Sequence, residues 1–218
     1  MMSSPKSCGR PCSCDVISHD TQLVVLTGGP GAGKTAVLEL VSKVLCEHVA
    51  VLPEAASILF SGGFWRLDSR SAKMAAQRAI YHVQVELERL VVDEKKWSMA
   101  LCDRGTLDGL AYWPARDSDF LVALHTNLEN EFQKYKAVIH LCSPTVENGY
   151  NYQNPVRVET VDLAASIDTR IHHIWKSHPN YYVIESTEDF IEKVHKAAKL
   201  IQSFVPKCCR GHLERVGN

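Results

Sequence analysis

The segment Gly28-Gly29-Pro30-Gly31-Ala32-Gly33-Lys34-Thr35 constrains this chain more than any other stretch. It satisfies G-x-x-x-x-G-K-[ST], follows the apolar run Leu23-Val24-Val25-Leu26 directly, and precedes residues with helical spacing. Glycines in such a loop let successive N–H groups face one concavity, and the next helix aims its positive end there. A nucleotide polyphosphate fits that field. The pattern predicts that Lys34 reaches the β- and γ-phosphates and that the Thr35 hydroxyl ligates Mg²⁺, so ATP and Mg²⁺ are the implied cofactors.

The loop also dictates what surrounds it. Short apolar runs like the first recur at Val49–Leu52, Met99–Cys102, Ala137–Leu141 and Tyr181–Ile184, each suited to a strand buried on both faces. Helical spacing occupies Thr35–Cys46, Ser71–Val92, Phe120–Tyr135 and Asp189–Phe204. Alternation of this kind predicts an α/β fold, a three-layer P-loop NTPase sandwich with a five-stranded, mainly parallel sheet. The expected division is a disordered arm over residues 1–20, one domain over 21–206 and a flexible tail over 207–218.

Charge and cysteine usage narrow the setting. Lys and Arg total 24 against 25 Asp and Glu, and a net charge of −1 gives no general grip on nucleic acid. The polar opening lacks the apolar middle of a signal peptide and no run approaches the roughly 18 apolar residues of a bilayer span, so a cytoplasmic protein is expected. Of eight cysteines, Cys46, Cys102 and Cys142 fall inside predicted elements and read as buried thiols. Cys8, Cys12, Cys14, Cys208 and Cys209 lie in the two tails. Neither tail spacing matches a standard zinc pattern well; a metal site or S-acylation is the weaker alternative, and the expectation there is flexible, exposed thiols.

A P-loop protein needs a second acidic group near the metal, at the carboxyl end of a neighbouring strand. Asp103 ends the Met99–Cys102 run and meets that need, although a strand-end Asp that caps the next helix is the competing role. Glu54 follows the Val49–Leu52 run and would reach the same edge, either to orient an acceptor hydroxyl or to sit in the first turn of a helix. Arginine is suited to charge spread over phosphoryl oxygens. Arg104 is one candidate. Arg157, in the polar stretch Asn148–Arg157, is another and suggests a lid, whereas Arg170 reads as a helix-face charge.

Taken in order, LTGGPGAGKT, VLPEAAS, AAQRAIYHVQVELE and ALCDRGTLDGLAYW resemble the NadR/AAA-type P-loop domain of bacterial nicotinamide riboside kinases and a group of eukaryotic predicted ATPases and GTP-binding proteins. The likeness spans about residues 22 to 200, with a wider similarity to deoxynucleoside and thymidylate kinases. The resemblance implies roles: Glu54 as base toward the acceptor hydroxyl, Gln77 as reader of the acceptor, Asp103-Arg104 as the metal and phosphate pair, and Arg157 as the lid arginine. Phe64, Trp65 and Tyr81 would line the acceptor pocket. The stretch departs from the nucleoside-kinase pattern in lacking an R-x-R pair at the lid.

Two functions follow as expectations. One is a kinase that moves the ATP γ-phosphoryl to a small hydroxyl acceptor. The other is a nucleotide-dependent regulatory module with little acceptor-directed catalysis. The chain carries no N-K-x-D guanine-reading motif, which favours adenine. No nucleic-acid partner is expected.

Overall fold

A computed structural model describes residues 6–7, 11–144, 161–187 and 189–210. Its elements in chain order are β1 (Lys6–Ser7), β2 (Gln22–Thr27), α1 (Lys34–Val44), β3 (Val49–Leu52), α2 (Ala55–Ser61), α3 (Arg70–Asp93) and β4 (Met99–Asp103). A 3-10 helix (Thr106–Tyr112), α4 (Asp117–Ala123), α5 (Leu128–Gln133), β5 (Tyr135–Leu141), α6 (Val161–Trp175), β6 (Tyr181–Ile184) and α7 (Phe190–Phe204) complete the domain. A last 3-10 turn spans Lys207–Cys209.

The five predicted strands all form, and they pair in parallel in the order β3-β4-β2-β5-β6. Their apolar runs are explained by the two layers they separate. Along β2, Val24 and Leu26 face one core with Val37 and Val41 of α1 and Ala197 and Ile201 of α7. Leu23 and Val25 face the opposite core, with Tyr81 and Val91 of α3, Leu107 and Leu110 of the 3-10 helix, and Ile171 and Trp175 of α6. Period-2 alternation therefore feeds two apolar layers at once, and the strand has no polar face to show.

Differences from the expected elements have local causes. The single helix anticipated over 120–135 is two, because His125 takes φ 52° and Asn127 caps α5 through its side chain on Asn130 N–H. Tyr135 belongs to β5 instead. Helix α6 was not anticipated, although Leu163, Ile167, Ile171 and Ile174 stand at three- and four-residue steps.

The tails also depart from expectation. Lys6–Ser7 adds an antiparallel strand to the β3 edge, and His19, buried, donates its N–H to the Lys95 carbonyl. Such short pairing leaves no periodicity in sequence. Cys209 is fully buried rather than exposed, and Cys12 and Cys14 pack against the α1–α7 core, while Cys208 is exposed as expected. Among the described residues, no helix is long and apolar enough to cross a membrane.

Candidate active site

The phosphate loop joins β2 to α1 at the carboxyl edge of the sheet. Gly28 takes φ 136°, and a Cβ there would stand 2.1 Å from the Leu141 carbonyl oxygen, so only glycine lets the loop pass the end of β5. Gly33, at φ 97°, precedes Lys34 and brings the loop against the Phe190 ring at the start of α7. Three groups that the sequence reading missed fix the outside of the loop. Asp168 on α6 accepts from Gly29 N–H at 2.6 Å and from Ser143 N–H at 3.0 Å, and its Oδ1 lies 3.1 Å from His140 Nε2. Lys193 on α7, itself buried, donates to the carbonyls of Ala32 (2.9 Å) and Cys142 (2.5 Å). Ser143 Oγ donates to the Pro30 carbonyl. No local motif marks these residues, since the fold alone carries them to the loop.

Lys34 folds back to donate to the Gly28 and Gly29 carbonyls at 2.9 and 3.1 Å. Burial and the neighbouring Arg104 push its ammonium down to about 8, against the pull of Asp103, Glu54 and Asp108. A cation held at this cost is poised for an anion. Thr35 is exposed at the head of α1. Asp103 ends β4, where burial and the Glu54 charge raise its carboxyl to about 6 despite Lys34, and its Oδ1 is buried with no hydrogen-bond partner. An orphaned carboxylate oxygen and an exposed hydroxyl across the loop are hard donors of the kind Mg²⁺ takes.

Arg104 is held tightly. It sits at φ 75°, a left-handed conformation uncommon for a non-glycine residue, with its N–H donating to the Leu26 carbonyl. From there its guanidinium reaches Glu54 at 2.7 Å, and Asp108 and the Gly28 carbonyl at 3.3 Å each. Burial works to raise the Glu54 carboxyl, but Arg104, Ser57 and Lys34 outweigh it and hold it below the ordinary range. Glu54 is the residue before α2, and its side chain accepts from Ser57 Oγ rather than from the helix backbone.

Asp108 is a fourth residue that the sequence reading missed. It is buried, accepting from Thr27 Oγ1 at 2.6 Å and Trp175 Nε1 at 2.7 Å as well as pairing with Arg104. The signal was present in Asp103-Arg104-Gly105-Thr106-Leu107-Asp108, where an acid stands four residues after the arginine.

Beside the loop opens a cavity of about 750 Å³, bounded by Pro30, Glu54, Gln77, Tyr81, Arg104 and Leu163 among others. Lys34, Glu54, Asp103 and Arg104 thus gather at one edge, and Gln77 and Tyr81 reach the adjoining cavity. Gln77 Oε1 is buried without a partner. Tyr81 presents its ring, but its hydroxyl donates to Glu131 at 2.7 Å and faces the core. Trp65 borders the cavity, whereas Phe64 stacks edge-on against Phe60. Arg170 donates to the Leu110 carbonyl at 2.7 Å, away from the phosphate loop. Arg157 lies outside the described residues.

A family model described as an AAA domain matches residues 23–193. The chain belongs to this AAA-domain family. Among solved structures, thymidylate kinase from Candida albicans is similar with a TM-score of 0.59 and 14% identity, over 84% of this chain and 92% of the other. The AAA-family chain therefore has the P-loop kinase fold. No curated protein sequence matches it.

Proposed function

We propose that this chain is a nucleoside-kinase-like phosphotransferase that binds ATP·Mg²⁺ at Gly28–Thr35 and passes the γ-phosphoryl to a hydroxyl of a small acceptor. One observation carries the reading: a cavity large enough for a nucleoside-sized molecule adjoins the phosphate loop, lined by Pro30 of that loop with Glu54 and with Arg104, which bonds both Glu54 and the Gly28 carbonyl. A protein that only gripped nucleotide needs no second chamber there. Both the AAA-domain match and the likeness to a thymidylate kinase agree with it.

In this reading Lys34 leaves the Gly28 and Gly29 carbonyls for the phosphates, whose charge stabilises its ammonium. Arg104, braced by Glu54 and Asp108, offers its guanidinium to the transferring group. Thr35 and Asp103 would hold Mg²⁺, which supplies neutralisation of charge on the phosphates. Glu54, kept ionised by Arg104, is a weak base and acts chiefly by orienting the acceptor hydroxyl, which suffices for a loose phosphoryl-transfer transition state. Gln77, which lines the cavity, would read the acceptor.

The test is ADP release from Mg·ATP with a panel of nucleosides, nicotinamide riboside included. Release that depends on an acceptor is expected. Glu54→Gln should retain ATP binding and lose about 100-fold or more in transfer. The pairing of Glu54 with Arg104 and Ser57 favours a second reading, a nucleotide-dependent regulatory module. Turnover that ignores every acceptor, or none at all with intact ATP binding, supports that reading instead.

A further inference from the structure

At the opposite end of β3 from Glu54, three remote pieces of chain converge. The N-terminal segment brings Cys12, the α1–β3 connection brings Cys46 and His48, and the final 3-10 turn brings Cys209. One ligand atom from each lies within 4.8 Å of every other. Cys209 Sγ stands 3.6 Å from His48 Nδ1, and the Cys46 thiol is within hydrogen-bonding reach of both Cys12 and Cys209. Donors at about 2.3 Å (sulfur) and about 2.0 Å (nitrogen) from a tetrahedral zinc stand about 3.6 Å apart.

We propose that Cys12, Cys46, His48 and Cys209 form a structural zinc site that fastens the N-terminal segment and the final turn to the domain. The donor chemistry selects the metal: three thiols and an imidazole are soft-to-borderline ligands, unsuited to Mg²⁺ or Ca²⁺. Four protein donors fill a tetrahedral sphere and leave no position for a substrate, so the role is structural. On binding, each of the three thiols gives its proton to solvent and the imidazole binds through its lone pair; no oxidant takes part.

The surroundings are built to hold these residues. Cys46 and Cys209 are both fully buried in the α1–α7 core. The Cys12 N–H donates to Glu47 Oε1 at 3.1 Å, which docks the N-terminal segment beside Cys46. The His48 carbonyl accepts from Ser98 N–H at 2.8 Å and from Ser98 Oγ at 3.1 Å, fixing its backbone. His19, 5% exposed, leaves its Nε2 buried and unpartnered, and its ring lies 4.8 Å from that of His48. His19 and Cys14 form a second group of four with the shared His48 and Cys209. They flank the site; the set with three thiols and two fully buried sulfurs is the tighter zinc ligand set.

Neither tail matches a zinc spacing, because the ligands come from positions 12, 46, 48 and 209 and no local motif exists to be read. The nucleotide site is at the other edge of the sheet, so the proposal stands or falls apart from the kinase reading.

The full chain, purified under reducing conditions, should carry one zinc by elemental analysis and native mass spectrometry. Replacing zinc with Co²⁺ in the wild-type chain should give thiolate-to-cobalt charge-transfer absorption with the d–d bands of a tetrahedral ion. Cys12→Ser and His48→Ala should each weaken Co²⁺ binding by about 100-fold or more. The wild-type cobalt spectrum decides the matter even if a variant fails to fold. Absence of the charge-transfer band overturns the proposal. So does a disulfide among the three thiols in the reduced preparation, or Co²⁺ binding that survives Cys12→Ser and His48→Ala.

Discussion

At the scale of single residues, Asp108 organises the site more than any residue the motifs mark. One buried carboxylate accepts from Thr27 at the end of β2 and Trp175 at the end of α6, and pairs with Arg104 after β4. Removing it leaves the Thr27 and Trp175 donors without their acceptor and takes one of three acceptors from the Arg104 guanidinium, which keeps Glu54 and the Gly28 carbonyl. Asp108→Ala is expected to lower stability by about 2–4 kcal/mol in urea unfolding, and Asp108→Asn by less. An alanine variant as stable as the wild type would contradict this account. The legibility of site residues divides on the same physical ground. Lys34 could be read from the phosphate-loop pattern that ends in it, Asp103 and Arg104 because they stand at the end of a strand, and Asp108 lay within reach of that pair. Asp168 and Lys193 could not, since they touch the phosphate loop only through the packing of α6 and α7.

At the scale of elements, α3 and β5 meet through a buried acid. Glu88 accepts from Gln84 Nε2 and from the Tyr135 hydroxyl at 2.8 Å each, and burial raises its carboxyl from an ordinary 4.5 to about 7. The folded state thus keeps this proton to about pH 7, while the unfolded chain releases it near 4.5. Between those values the unfolded state binds fewer protons, so this group's contribution to stability falls as pH rises through the window and is flat above it. Glu88→Gln keeps the Oε1 acceptor and removes the charge. It should match the wild type near pH 4.5 and exceed it by on the order of 1–3 kcal/mol at pH 8, read from denaturation at both pH values. A constant difference between the two proteins across that range would refute the assignment. The α4–α5 break belongs to this scale too. Apolar spacing ran through it, but the Asn127 cap and the left-handed His125 end one helix and start another, and Asn127→Ala should cost about 1 kcal/mol.

At the scale of the whole molecule, the parallel sheet and its two apolar layers were legible because strands buried on both faces have no choice but to be apolar throughout. The tails were not, because their order comes from a two-residue ladder and from contacts between residues more than 30 positions apart. Deleting residues 1–20 should therefore lower the melting temperature, by about 4–8 °C if roughly 2 kcal/mol is lost. An unchanged melting temperature would show that the segment merely lies on the surface. All of this architecture converges on one loop, and calorimetry with Mg·ATP tests it most directly. The account predicts association with the wild-type chain and its loss, by at least about 100-fold, in Lys34→Ala; no heat of binding to the folded wild type, or equal affinity in the variant, would contradict it.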